Sequence, residues 1–146
     1  MKIVRNLVLL ILGALSVSSC THNNGDIGDL FGIWVLKSVS IDGLDIKFIS
    51  DDQNVTWAFQ NNIVSVTLLA AHESRLETYG TWEWEDEGKI MHLDFTHIGG
   101  FPWGELPFPG EISFNVRVKE LNKKNLKFVY VTETGEQMDY VFQKLD

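Results

Sequence analysis

Residues Ile112–Lys119 alternate strictly: Ile112, Phe114, Val116 and Val118 are apolar, whereas Ser113, Asn115, Arg117 and Lys119 are polar. A β-strand turns successive side chains to opposite faces, so this pattern puts one face in a core and the other in water. The run Arg75–Glu85 repeats it at greater length. Leu76, Thr78, Gly80, Trp82 and Trp84 fall on one face, and Glu77, Tyr79, Thr81, Glu83 and Glu85 on the other. A helical period would scatter both sets around the axis.

Further strand-length segments follow the same logic. They are Gly32–Ile41, Leu44–Ile49, Val55–Phe59, Ile63–Leu69, the stretch carrying Met91, Leu93 and Phe95, Leu126–Thr132, and the stretch carrying Met138, Tyr140 and Phe142. Turn residues punctuate them: Asp42-Gly43, Asn61-Asn62, Asp86–Lys89, Asn122–Asn125 and Thr134–Glu136. Short strands at a spacing of about ten residues indicate a sandwich or an up-and-down barrel. Tight turns pair consecutive strands as a meander, which favours the barrel. The expected fold is therefore all-β: a single antiparallel up-and-down barrel of about eight strands, with no internal repeat. Gly80 suits either the bend of a barrel corner or a bulge.

The phase of the strands also names what fills the barrel. Trp57, Phe59, Thr78, Trp82, Trp84, Phe95, Phe114 and Tyr140 point inward, with Phe142 beside them. Eight strands enclose a modest space. Either these side chains fill it, or they leave a narrow apolar cavity with Thr78 and Tyr140 as its few polar contacts. Such a cavity would suit a lipid tail, an isoprenoid or another flat hydrophobic molecule. A charged ligand would find no counter-charge inside.

The N-terminus points to export. Lys2 and Arg5 precede the apolar run Leu7–Leu15, small residues follow, and the segment ends at Cys20, the one cysteine of the chain. This is the layout of a secretory signal peptide, and the apolar run is too short to span a bilayer. Val17-Ser18-Ser19-Cys20 resembles the bacterial lipobox, which implies cleavage after residue 19 and lipidation of Cys20. A lone cysteine in an exported chain has no disulfide partner, and several acyl chains on one residue anchor firmly. Residues 20–30 then form an acylated, polar tether, and 31–146 the barrel domain. Loss of Lys2 and Arg5 leaves ten basic residues against 20 acidic ones, which argues against nucleic acid as a partner.

Phe31-Gly32-Ile33-Trp34 contains the Gly-x-Trp that opens the first strand of lipocalins and related barrels, and the domain ends on Tyr140–Leu145. In layout, residues 31–145 resemble the lipocalin-like lipoprotein domains of Bacteroidota. The resemblance implies a calycin-type barrel, with Gly32 and Trp34 as its motif, and a role in binding a small hydrophobic ligand. Lipocalins proper add a helix after the barrel, whereas this sequence ends at its last strand. They also place a late Arg against the first-strand Trp. Arg117 is the one Arg after residue 75, but its strand phase faces outward.

Catalytic signatures are missing from the sequence. It has no G-x-S-x-G elbow, and His72-Glu73 lacks the second His of a zinc-protease helix. His72, His92 and His97 read as scattered surface residues rather than a metal site. Glu77, Glu83 and Glu85 read as a solvated face. The expectation is a non-enzyme without metal or cofactor.

The most distinctive segment is Thr96–Glu111 (THIGGFPWGELPFPGE), which holds all three prolines of the chain and the aromatics Phe101, Trp103 and Phe108. A loop this long among short turns is usually functional or disordered, and its aromatics argue against disorder. Its rings either fold inward as a cork or form a portal or contact surface for an envelope protein. Thr21 lacks the Asp that retains lipoproteins at the inner membrane in enteric bacteria. An outer-membrane lipoprotein facing the periplasm is expected, with an inhibitor or accessory subunit as the alternative to a ligand carrier.

Overall fold

The computed structural model describes residues 28–46, 54–69 and 74–146. The signal segment, Cys20 and most of the tether lie outside these residues, as do His72 and the Ser50–Gln53 stretch. Among the described residues a 3-10 turn, Gly28–Leu30, precedes nine strands: β1 (Gly32–Ile41), β2 (Leu44–Ile46), β3 (Asn54–Gln60), β4 (Ile63–Leu69), β5 (Leu76–Asp86), β6 (Ile90–His97), β7 (Ser113–Leu121), β8 (Asn125–Val131) and β9 (Gln137–Lys144).

All pairings are antiparallel, and β9 returns to β1 to close a ring of eight strands. Closure removes the exposed edges that an open sheet would carry. The short β2 stands outside the ring. It pairs with the end of β1 through Val39–Ile41, while β3 pairs with the start of β1 through Gly32–Val35. The meander therefore skips β2, because a three-residue strand cannot hold a place in the barrel wall. The Asp42-Gly43 turn has both residues at positive φ, as a tight two-residue hairpin requires. Asp42 is further fixed to β9: its N–H donates to the Gln137 carbonyl, and its carboxylate accepts from the Gln137 N–H at 3.0 Å.

Bulges bend the wall. Register shifts occur in β1 between Leu36 and Ser38, in β5 near Glu85 and in β7 between Val118 and Glu120. The first explains why Trp34, Leu36 and Val39 are all buried although the period of two is broken at Lys37. A fourth shift sets Gly80 opposite Phe95 and skips Thr96. At Gly80 the two backbones approach so closely that a Cβ would lie 1.9 Å from the Asp94 carbonyl oxygen and 2.6 Å from the Phe95 Cα. Gly80 thus serves a bulge in the neighbouring strand.

Several boundaries differ from expectation. β5 runs on through Asp86 and β6 through His97, while Ile112 precedes β7 and is exposed.

The turns at 61–62, 87–89 and 122–124 lie with the start of β1. The connections 98–112 and 132–136 and the Asp42-Gly43 turn lie at the other end. Replacing Gly80 with Ala forces backbone apart from backbone and should cost about 2–3 kcal/mol. A chemical-denaturation midpoint unchanged from wild type would refute this close approach.

Candidate functional site

The end where β1 begins is sealed by local chemistry. Leu30 is fully buried beneath the strands, and the Trp34 indole N–H donates to its carbonyl at 2.8 Å. Lys144 of β9 reaches across: its ammonium donates to the Asp29 carbonyl at 2.8 Å and stands 5.0 Å from the centre of the Trp34 ring. A cation over an indole face is attracted by the ring quadrupole. Gly32 makes room for this lysine. It sits at φ +128, and a Cβ there would meet Lys144 Cε at 2.7 Å. The Gly-x-Trp spacing is thereby explained, and the cation against the tryptophan is Lys144. Arg117 faces outward on β7, so it does not fill that place. Lys144 continues the inward phase of Met138, Tyr140 and Phe142, but that it meets Trp34 is set by the pairing of β9 with β1, which no single strand's pattern shows.

Above this seal the inward side chains form one hydrophobic core, with its aromatic rings in two groups. Trp57 touches Phe95, Phe128 and Phe142 with ring centres 5.5–5.9 Å apart. Phe59 packs on Trp82, and Trp82 on Trp84. Phe114 meets Tyr130, and Phe128 meets Tyr140. Of the interior set read from the sequence, Trp57, Phe59, Thr78, Trp82, Phe95, Phe114 and Tyr140 are buried and Trp84 is half-buried. Both polar members are engaged within the chain. The Thr78 hydroxyl donates to the His97 carbonyl at 2.6 Å, and the Tyr140 hydroxyl to the Pro107 carbonyl at 2.7 Å. Phe128 and Tyr130 belong to the same core. The run Leu126–Val131 hid them, because Val129 is buried as well and blurs the alternation.

The opposite end is covered by the segment between β6 and β7. Phe101 and Phe108 are 5% and 4% exposed, and Trp103 packs against them and onto Phe95 at 4.6 Å. The rings therefore fold inward as a cork. Short backbone bonds shape the segment: Phe101 N–H to the Ile98 carbonyl, Gly104 N–H to the Pro109 carbonyl and Phe108 N–H to the Glu105 carbonyl, each at 2.8 Å. Two tyrosine hydroxyls hold it to the wall, Tyr140 on Pro107 and Tyr130 on the Glu111 carboxylate at 3.0 Å. Beside it lies a groove of about 310 Å³ lined by Glu111, Tyr130, Thr132, Glu133 and Thr134.

On the outer wall a polar chain crosses β5, β6 and β7. Ser113 lies 3.4 Å from His92 Nε2, His92 Nδ1 lies 2.6 Å from Asn115 Oδ1, and Asn115 donates to Glu85 at 2.8 Å. Its order suggests a nucleophile relay, but it is exposed to water, where such a relay gains little electrostatic strength. Among the described residues no group of three or more His, Cys, Asp or Glu side chains is placed to hold a metal.

The fold has counterparts among solved structures. A lipocalin-like protein from Bacteroides uniformis superposes with a TM-score of 0.59 at 21% identity, over 81% of this chain and 100% of that one. An uncharacterized protein from Bacteroides eggerthii gives 0.58 at 18% identity, over 80% and 99%. No family model matches the sequence, and comparison with curated proteins finds no match. The chain thus has a closed eight-stranded antiparallel barrel, the fold of that lipocalin-like protein.

The hydroxyls that hold the cork are shielded. Burial, and then the hydrogen bond to and charge of Glu111, push the Tyr130 hydroxyl up to about 12. Burial pushes Tyr140 up further. An ordinary tyrosine ionises near pH 10, so the unfolded chain loses these protons first. Stability should hold up to about pH 10 and fall as pH rises towards 12. Tyr140→Phe should cost about 1–3 kcal/mol and shrink that alkaline loss. Denaturant titrations at stepped pH measure both, and an alkaline limb unchanged in the variant would contradict the assignment.

Proposed function

We propose that the protein is an outer-membrane lipoprotein, anchored through acyl chains on Cys20 and facing the periplasm, whose barrel carries a small apolar molecule. The reading rests on one observation. The strands do not fill the barrel by themselves: the end away from Leu30 is completed by Phe101, Trp103 and Phe108, borne on a segment outside the strand ladders. Side chains on such a segment can be exchanged for a ligand at the cost of a few hydrogen bonds, whereas side chains on the wall cannot. The lipocalin-like fold supports the same reading by analogy, and the aromatic lining suits a flat or chain-like hydrophobic molecule.

Bound charge has little place here, because every Lys and Arg among the described residues lies outside the buried set. The alternative, a module that binds an envelope protein, would use exposed apolar residues around the cork such as Ile98, Leu106, Ile112 and Val131, since the three aromatic rings are turned inward.

Native mass spectrometry of the protein purified from its own host, followed by denaturing extraction, tests the proposal as a whole. The expected result is a co-purifying apolar molecule, lost in the Phe114→Ala variant, which cuts back the wall beneath the cork, together with a covalent acyl increment on Cys20. A clean apo mass, with no thermal shift from lipid and isoprenoid panels, would overturn the carrier and leave the protein-partner reading. An unmodified Cys20 would overturn the anchor.

A further inference from the structure

Three interior indole N–H groups have no hydrogen-bond partner: those of Trp57, Trp82 and Trp103. Other interior donors are used: Trp34 donates to Leu30, Thr78 to His97 and Tyr140 to Pro107. A buried donor left unmade costs about 1–3 kcal/mol, and such groups are rare enough in folded proteins to call for a cause. Neighbouring aromatic faces are weak acceptors and repay only part of that cost.

The three donors are not equivalent in place. Trp57 is fully buried on β3, and Trp103 lies on the cork. Both contact the Phe95 ring, at 5.9 and 4.6 Å, where the strand-borne interior meets the loop-borne one. Trp82 lies apart, between Phe59 and Trp84. Among the described residues the buried ones include no carboxylate, no carboxamide and no basic group, and Thr67 and Thr78 are the polar ones besides the tyrosines. The interior therefore holds a surplus of neutral donors.

Resting on the carrier reading, we infer that the bound molecule is neutral and carries acceptor oxygen, as a ketone, ester or quinone does, and that its acceptor oxygens take the N–H groups of Trp57 and Trp103. A plain hydrocarbon would leave those donors unmade. A carboxylate would satisfy them but would bring an uncompensated charge into an interior without a cation, a heavier penalty than the hydrogen bonds return. The acceptor-bearing end sits beneath the cork, and the hydrocarbon part follows the Phe114–Phe128–Tyr140 wall.

Equilibrium dialysis of the full chain against three probes of one shape tests this. The probes are menadione (two carbonyl acceptors), methylnaphthalene (none) and naphthoate (an anion). Cys20→Ser is used throughout, which keeps acyl chains off and removes the one thiol that menadione alkylates. Menadione should bind at least about tenfold more tightly than methylnaphthalene, and naphthoate should bind least. Trp103→Phe and Trp57→Phe keep the aromatic packing while deleting the donor. Each should narrow the menadione advantage and leave methylnaphthalene unchanged, and Trp82→Phe should leave the ratio as it is. If Trp57→Phe fails to fold, Trp103→Phe on the cork decides alone. Methylnaphthalene binding as tightly as menadione, or a ratio unmoved by Trp103→Phe, would overturn the inference while the carrier reading stands. Failure of all three probes to bind would overturn both.

Discussion

Closing eight antiparallel strands into a ring fixes an interior volume, and that volume has to be filled at the density of a protein core. Every other feature of the molecule answers this constraint. The lower end is filled by the chain just before β1, where Leu30 is fixed by the Trp34 indole and the assembly is capped by Lys144 from the last strand. The middle is filled by alternate residues of the wall, with Trp57 at the centre of the aromatic contacts. The upper end is filled by a loop. The first two parts are built from residues in the ladders or bonded tightly to them, and the third is held by two tyrosine hydroxyls and its own short turns.

Most of the wall was legible in the sequence because the period of two is a property of backbone geometry, and burial on one face keeps it visible. β5 and β7 show this in full: Thr78, Gly80 and Trp82 are buried between exposed neighbours, as are Phe114 and Val116. Legibility fails where the backbone departs from the simple ladder. The bulge at Lys37 shifts the phase of β1, and the extra residue opposite Gly80 is set by β6, so neither is visible in one strand's own pattern. β8 is apolar on both faces near Val129, which concealed Phe128 and Tyr130.

The site was legible in composition and not in direction. Three prolines and three aromatics in Thr96–Glu111 mark a structured loop, but whether its rings point in or out depends on what lies beneath them, and that is set by other strands. Pro107 and Glu111 take their importance from Tyr140 and Tyr130, which are distant in sequence. The cation at the tryptophan shows the same limit. The resemblance to lipocalins draws attention to Arg117, whereas the pairing of β1 with β9 brings Lys144 to Trp34. A neighbour made by closure of the ring leaves no local trace.

The central claim is that the loop filling the upper end is separable from the wall. Amide hydrogen exchange under native conditions tests it most directly. The N–H groups of Phe101, Gly104, Glu105 and Phe108 are bonded within the segment, so their exchange reports its opening. They should exchange through a local opening far below the global unfolding free energy, while β8 and β9 exchange only with the whole domain. If those four amides are instead protected to the same free energy as the strands, the cork is a fixed part of the core, and the barrel has no end that a ligand could use.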